Sequence, residues 1–207
     1  MIWQADLVVL VADSNMQAAV RGLLSRPESL GIRSVQFNIF VHVERDPGCF
    51  HRGHDFLRSM ANRYEHGLIL FDRMGSGQEN QGREELEKSV NGRLSIYGWN
   101  ERAATIVLDP ELEVWVWTES PEVGRCLGWK GQPDMRSLLS SKGMWQEGHA
   151  KPDNPKKAIE FVLRYTNKPR SSSIYESLAQ NVSFQKCTDP AFIKFKEVLR
   201  NWFPKSA

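Results

Sequence analysis

Acidic residues stand where short apolar runs of this sequence end. Asp13 follows "LVVLVA" (Leu7–Ala12), Asp72 follows "LILF" (Leu68–Phe71), and Asp109 follows "TIVL" (Thr105–Leu108), with Glu111 and Glu113 close behind in "DPELEVWVW". Carboxylates gathered in a partly desolvated cleft repel one another unless a cation lies among them. The implied cofactor is Mg²⁺ or Mn²⁺, because hard divalent ions take carboxylate and water oxygens and leave positions for a phosphate. The chemistry is then metal-assisted work on a phosphodiester. In that reading Asp13, Asp72 and Glu113 are the catalytic ligands, Glu111 or Asp109 assists, and Arg45 or Arg73 steadies the phosphate. The turn Gly75-Ser76-Gly77 adds a place where successive backbone N–H groups can approach an anion. A plainer alternative stands beside each of these. A single Asp after a strand commonly caps the next helix, and Gly-Ser-Gly after a strand is commonly only a turn.

The elements that must position these residues are legible as alternating periods. The runs Leu7–Ala12, Val35–Val41, Leu68–Phe71 and Thr105–Leu108 are short, rich in β-branched or aromatic residues and apolar on both faces, as strands of a sheet covered on both sides are. Helical spacing follows the first at Met16, Ala19, Val20, Leu23 and Leu24, with Ser14–Gln17 as a capping box. It follows the second at Phe56, Leu57, Met60 and Tyr64, and the third at Leu86, Val90 and Leu94. Strand and helix in alternation predict βαβ units, and hence a three-layer α/β domain with a mainly parallel sheet whose ligands sit outside the carboxyl ends of the strands. The segment "PELEVWVW" admits both a helix, from its proline, and a strand, from its alternating Val and Trp; that choice decides which glutamate faces the site.

Residues 1–120 read as the α/β domain and 121–207 as a mainly helical extension packed on it. Ala158, Ile159, Phe161, Val162 and Tyr165 mark one helix of the extension. Asp189 as cap, Pro190 at the first helical position and a stripe of Phe192, Phe195, Val198, Leu199 and Trp202 mark another. The stretch from Ser120 to Ala150 has no firm period, yet its Trp129, Met135, Leu138, Leu139 and Trp145 call for burial.

The 207 residues suffice for one sizeable core. Formal net charge is +2, but residues 151–207 carry eleven Lys/Arg against five Asp/Glu, so the tail is +6 and the rest −4. Such a tail holds phosphates or an acidic partner, or is simply a solvated helical surface. No apolar run is long enough to span a bilayer, and the first residues carry no basic or cleavable leader. Three scattered cysteines suggest neither a disulfide framework nor a CxxC site. The expectation is a cytoplasmic, soluble protein.

Other groupings carry less. His42, Cys49, His51 and His54 have the composition of a zinc site but match no standard spacing; the plainer reading pairs Arg45 with Asp46 and makes Asp46–Gly48 a turn. In "KPRSSSIYESL" Ser173 and Glu176 read as a capping box, with Lys168 and Arg170 as an alternative phosphate contact. Trp115, Trp117 and Trp202 lie in apolar patterns and read as core or protein interface before base-stacking platforms. No Walker loop, dinucleotide fingerprint or Ser-His-Asp arrangement occurs.

A strand ending in an acid, a later strand ending "LILFDRMGSG" and a further strand running into "IVLDPELEVWVW" resemble the Toprim-like families, including the overcoming-lysogenization-defect type nucleases. The resemblance implies a divalent metal held by an acid after the first strand and an Asp-x-Asp after the third. Asp13 then stands where the first acid belongs and Asp72 is the first of the pair. Met74 stands where the second should be, and a thioether does not replace a carboxylate for Mg²⁺. Over nearly the whole chain, "VERDPGC", "LILFDRMGSGQEN", "IVLDPELEVWVW", "KPRSSSIYESLA" and "CTDPAFIKF" resemble a small bacterial protein family of the methylation-associated antiphage defence system. That implies a role in restricting phage beside other proteins of the same system, either through partners, as a degenerate Toprim-like subunit, or as a Mg-dependent enzyme acting on nucleic acid.

Overall fold

A computed structural model describes residues 3–205. Its centre is a four-stranded sheet of β1 (Ala5–Val11), β2 (Phe37–Val41), β3 (Tyr64–Asp72) and β4 (Ala103–Leu108), in the order β2-β1-β3-β4 with every neighbouring pair parallel. Leu7 to Val11 and Leu68 to Phe71 are fully buried in succession, which a strand can be only when both faces are covered. Helices α1 (Ser14–Leu24) and α2 (Pro27–Leu30) join β1 to β2, α3 (Arg45–Arg58) joins β2 to β3, and α4 (Arg83–Leu94) leads towards β4. α3 and α4 pack together on one face; α1 lies on the other. The result is the three-layer, Rossmann-like α/β architecture expected. Because the chain leaves β1 towards β2 but leaves β3 towards β4, the crevice between the carboxyl ends of β1 and β3 is the topological switch point.

After β4 come a 3₁₀ turn (Leu112–Trp115) and helices α5 (Pro121–Cys126), α6 (Met135–Ser141), α7 (Pro155–Tyr165), α8 (Ser172–Asn181) and α9 (Pro190–Trp202). Residues 116–182 build a second apolar cluster, in which Trp117, Leu139, Trp145, Ile159 and Val162 are buried as their types demanded. The stripe of α9 joins the core of the sheet instead, with Phe195 and Leu199 fully buried. α8 runs parallel to α1: Ser172 Oγ meets Asn15 Oδ1 at 3.0 Å at one end, and at the other a Cβ on Gly22 would lie 2.7 Å from the Ala179 Cβ. Glycine at position 22 is what permits that approach, and it brings both helix N-termini to the carboxyl edge of the sheet.

Several local expectations are corrected. The first helix is capped by Asp13, whose Oδ1 accepts the Met16 N–H at 2.8 Å, and Gln17 donates to the Ile39 carbonyl rather than closing a capping box. The helix after β2 ends at Arg58, and Tyr64 opens β3. Asp46-Pro47-Gly48 is no turn but the first turn of α3, where a proline lacks no needed hydrogen bond. α8 starts with Ser171 at its cap, and Ser173 Oγ bonds Ser171 Oγ, so Ser173 and Glu176 form no capping box. No helix among the described residues is long and apolar enough to cross a membrane.

Candidate metal centre

Asp72 is the last residue of β3, and its Oδ1 accepts the Leu112 N–H at 2.9 Å. That bond clamps the segment after β4 against the end of β3. The segment is extended at Glu111 and turns into 3₁₀ helix from Leu112, so both glutamates point inward: Glu111 is 8% exposed and Glu113 3%. The segment is neither a strand nor a helix capped by Asp109 but a short 3₁₀ turn entered from Glu111, and the choice of one facing glutamate dissolves. Two tryptophans anchor the turn from behind. Trp115 Nε1 donates to Asp189 Oδ1, the cap of α9, at 3.0 Å, and Trp117 Nε1 donates to the Pro155 carbonyl at the start of α7, also at 3.0 Å. One carboxylate oxygen each from Asp72, Glu111 and Glu113 lies within 4.8 Å of the others, the only such grouping of three or more metal-ligating side chains among the described residues.

Two further carboxylates flank the triad. Asp46 Oδ1 accepts the Asp72 N–H at 2.8 Å, and Asp13 is near enough for its charge to act on both. Burial, followed by the charges of Asp46, Glu113, Asp13 and Glu111, pushes the Asp72 carboxyl well above its ordinary range. Burial and Asp13 likewise raise Asp46, against the pull of the Asp72 N–H and Lys156. Positive charge comes from the extension. Lys156 Nζ lies 2.9 Å from Glu111 Oε2, and Arg170 forks between Glu113 Oε1 (2.8 Å) and Glu160 Oε1 (3.0 Å). Tyr175 donates its hydroxyl to Glu113 Oε1 at 2.6 Å. Burial works to lower the Lys156 ammonium, but the hydrogen bond to Glu111 and the charges of Glu111, Glu113 and Asp72 more than offset it. With Asp72 and Asp46 pushed up by burial and by their acidic neighbours, a divalent ion among them would favour their charged forms, which is the electrostatic opening for such an ion.

The other residues singled out in the sequence fall elsewhere. Asp109, just after β4, pairs with Arg73 at 2.9 Å, and Arg73 also donates to the Glu79 carbonyl at 2.6 Å, so the two tie the loop after β3 to the end of β4. Gly75 and Gly77, at φ of 92° and 76°, do form an anion nest, and its occupant is the Glu79 carboxylate, which accepts from Gly75 N at 2.8 Å and Gly77 N at 3.3 Å. Arg45 is exposed at φ 53° and makes no ion pair with Asp46 among the described residues. Met74 is exposed at the rim; the carboxylates that group with Asp72 come from Glu111 and Glu113. The histidine and cysteine set does not assemble: His42 Nδ1 accepts the Glu44 N–H, His54 stacks on Tyr97, and Cys49 is sealed in the core. Sequence reasoning paired Asp46 with Arg45 and did not count it among the acids of the crevice, since it stands in the first turn of α3 and not directly at a strand end. It also missed Lys156 and Tyr175, for which no local pattern exists.

No protein-family model, curated protein or solved structure matches the chain. The crevice must therefore be read from its own chemistry.

Proposed function

We propose that this chain is a divalent-metal-dependent, phosphodiester-processing component of a bacterial antiphage defence system, acting on nucleic acid beside partner proteins. The convergence of Asp72, Glu111 and Glu113 within 4.8 Å at the switch point carries the metal-dependent part. The donor set is all oxygen and its negative charge is incompletely balanced, which suits Mg²⁺ or Mn²⁺ and not a thiolate-loving metal. Bound there, the ion would supply Lewis-acid charge at a phosphoryl oxygen. Asp72 would hold it from the rigid end of β3, Glu111 and Glu113 from the clamped 3₁₀ turn, and Arg170 offers positive charge for a phosphate at the rim. The defence context and the partners rest on the motif resemblance alone.

The test is cleavage of single- and double-stranded DNA and RNA with Mg²⁺, Mn²⁺ or EDTA. The wild type is expected to cut only with metal, and Asp72→Asn to lose at least about a hundredfold in rate with an unchanged circular dichroism spectrum. Equal cleavage by the mutant would sink the proposal. A second reading, a non-catalytic subunit that works through its partners, is favoured by one observation: Glu111 and Glu113 already have internal partners in Lys156, Arg170 and Tyr175. It requires a stable complex with the other proteins of the system and no metal-dependent activity in that complex.

A further inference from the structure

We propose that Lys156 is a tethered counter-ion of the carboxylate triad, occupying the charge position that a divalent ion must take and so setting the metal affinity of the site; this rests on the metal-binding reading above. Its Nζ touches Glu111 Oε2 at 2.9 Å, and Glu111 belongs to the triad. An ammonium on one oxygen of Glu111 and a divalent ion on the other lie close enough to repel strongly, so the two compete for that carboxylate.

The two cations of the crevice are not equivalent. Arg170 is fixed: its guanidinium is forked between two glutamates and lies over the Tyr175 ring at 5.8 Å. Lys156 makes a single ion pair among the described residues, and its side chain is 41% exposed. Its backbone, however, is held. It sits in the first turn of α7, where Asn154 Oδ1 accepts the Lys157 N–H at 2.9 Å and Trp117 grips the Pro155 carbonyl. A fixed backbone with a flexible four-carbon stem lets the ammonium leave for solvent without moving any element. Without metal, the same ammonium offsets part of the repulsion among the carboxylates.

Calorimetric titration of MnCl₂ and MgCl₂ into metal-free protein tests this. Lys156→Met keeps the stem and removes the charge; it should bind Mn²⁺ at least about tenfold more tightly than wild type. Lys156→Arg should stay near the wild-type affinity, and adding Asp72→Asn to Lys156→Met should abolish the gain, which locates it at the triad. If Lys156→Met misfolds, Lys156→Gln removes the same charge with a polar side chain. Wild-type binding that charge removal leaves equal or weakens overturns the counter-ion role while the metal reading stands. No binding by either protein into the millimolar range overturns the metal reading, and this inference with it.

Discussion

Asp72→Asn should make the metal-free protein more stable while disabling it. Asn Oδ1 can still accept the Leu112 N–H, so the clamp on the 3₁₀ turn survives and only the charge is lost. Two unit charges at 4.8 Å, the limit of separation within the triad, repel by roughly 3.5 kcal/mol at an effective dielectric of about 20. Lys156 and Arg170 already offset part of this, so a net gain of about 1–3 kcal/mol is expected. For a chain of this size that corresponds to a rise in Tm of about 2–12 °C. The gain should shrink as pH falls. A carboxyl whose pKa is raised by folding costs nothing below its unfolded value of 3.8, costs progressively more as pH rises from there to its folded value, and carries its full cost above that. Metal should invert the order, since an ion at about a thousand times its Kd stabilises the wild type by about 4.1 kcal/mol and the mutant by none. The assay is differential scanning fluorimetry at neutral pH in EDTA and in Mn²⁺. A lower Tm for the mutant in EDTA would refute the electrostatic reasoning, and an equal Mn²⁺ shift in both proteins would refute the ligand assignment.

Two further predictions test what positions the crevice. Gly22→Val places carbon where Ala179 Cβ and the Glu176 carbonyl already stand, at 2.7 Å, and should cost about 1–3 kcal/mol in urea unfolding while weakening metal binding through displacement of α8. At the opposite edge, the Arg33 hydrogen bond, then the Gln36 N–H and the Arg33 charge, hold the Asp6 carboxyl below its ordinary value of 3.8. A depressed carboxyl stabilises the fold above its unfolded pKa and loses that contribution as pH falls through the folded value. Asp6→Asn should therefore cost about 1 kcal/mol at neutral pH and little at about pH 2, as read from urea midpoints.

The order of elements, the burial of β1, β3 and β4 and the presence of Asp72 at a strand end were local matters, and local periodicity and residue type determined them; the run of β2 reads as covered on both faces, yet it is the half-exposed edge of the sheet, which only the strand order decides. β1 to β4 fall where apolar runs stop alternating with polar residues, and α9 starts at Asp189-Pro190 because a cap and a proline leave little choice. The acid at the end of β3 follows from strand period alone. Which groups meet it does not. Glu111 and Glu113 both face Asp72 because a hydrogen bond from Leu112 and two indole anchors fold the segment into a 3₁₀ turn, which neither the proline nor the Val/Trp alternation announces. The Gly75–Gly77 nest is visible as a turn, but its occupation by Glu79 depends on a side chain curling back four residues. Lys156 and Arg170 reach the crevice from 45 and 57 residues away from their carboxylate partners. Tertiary packing of the helical extension alone decided those contacts, because a charge acts through space and leaves no periodic trace along the chain.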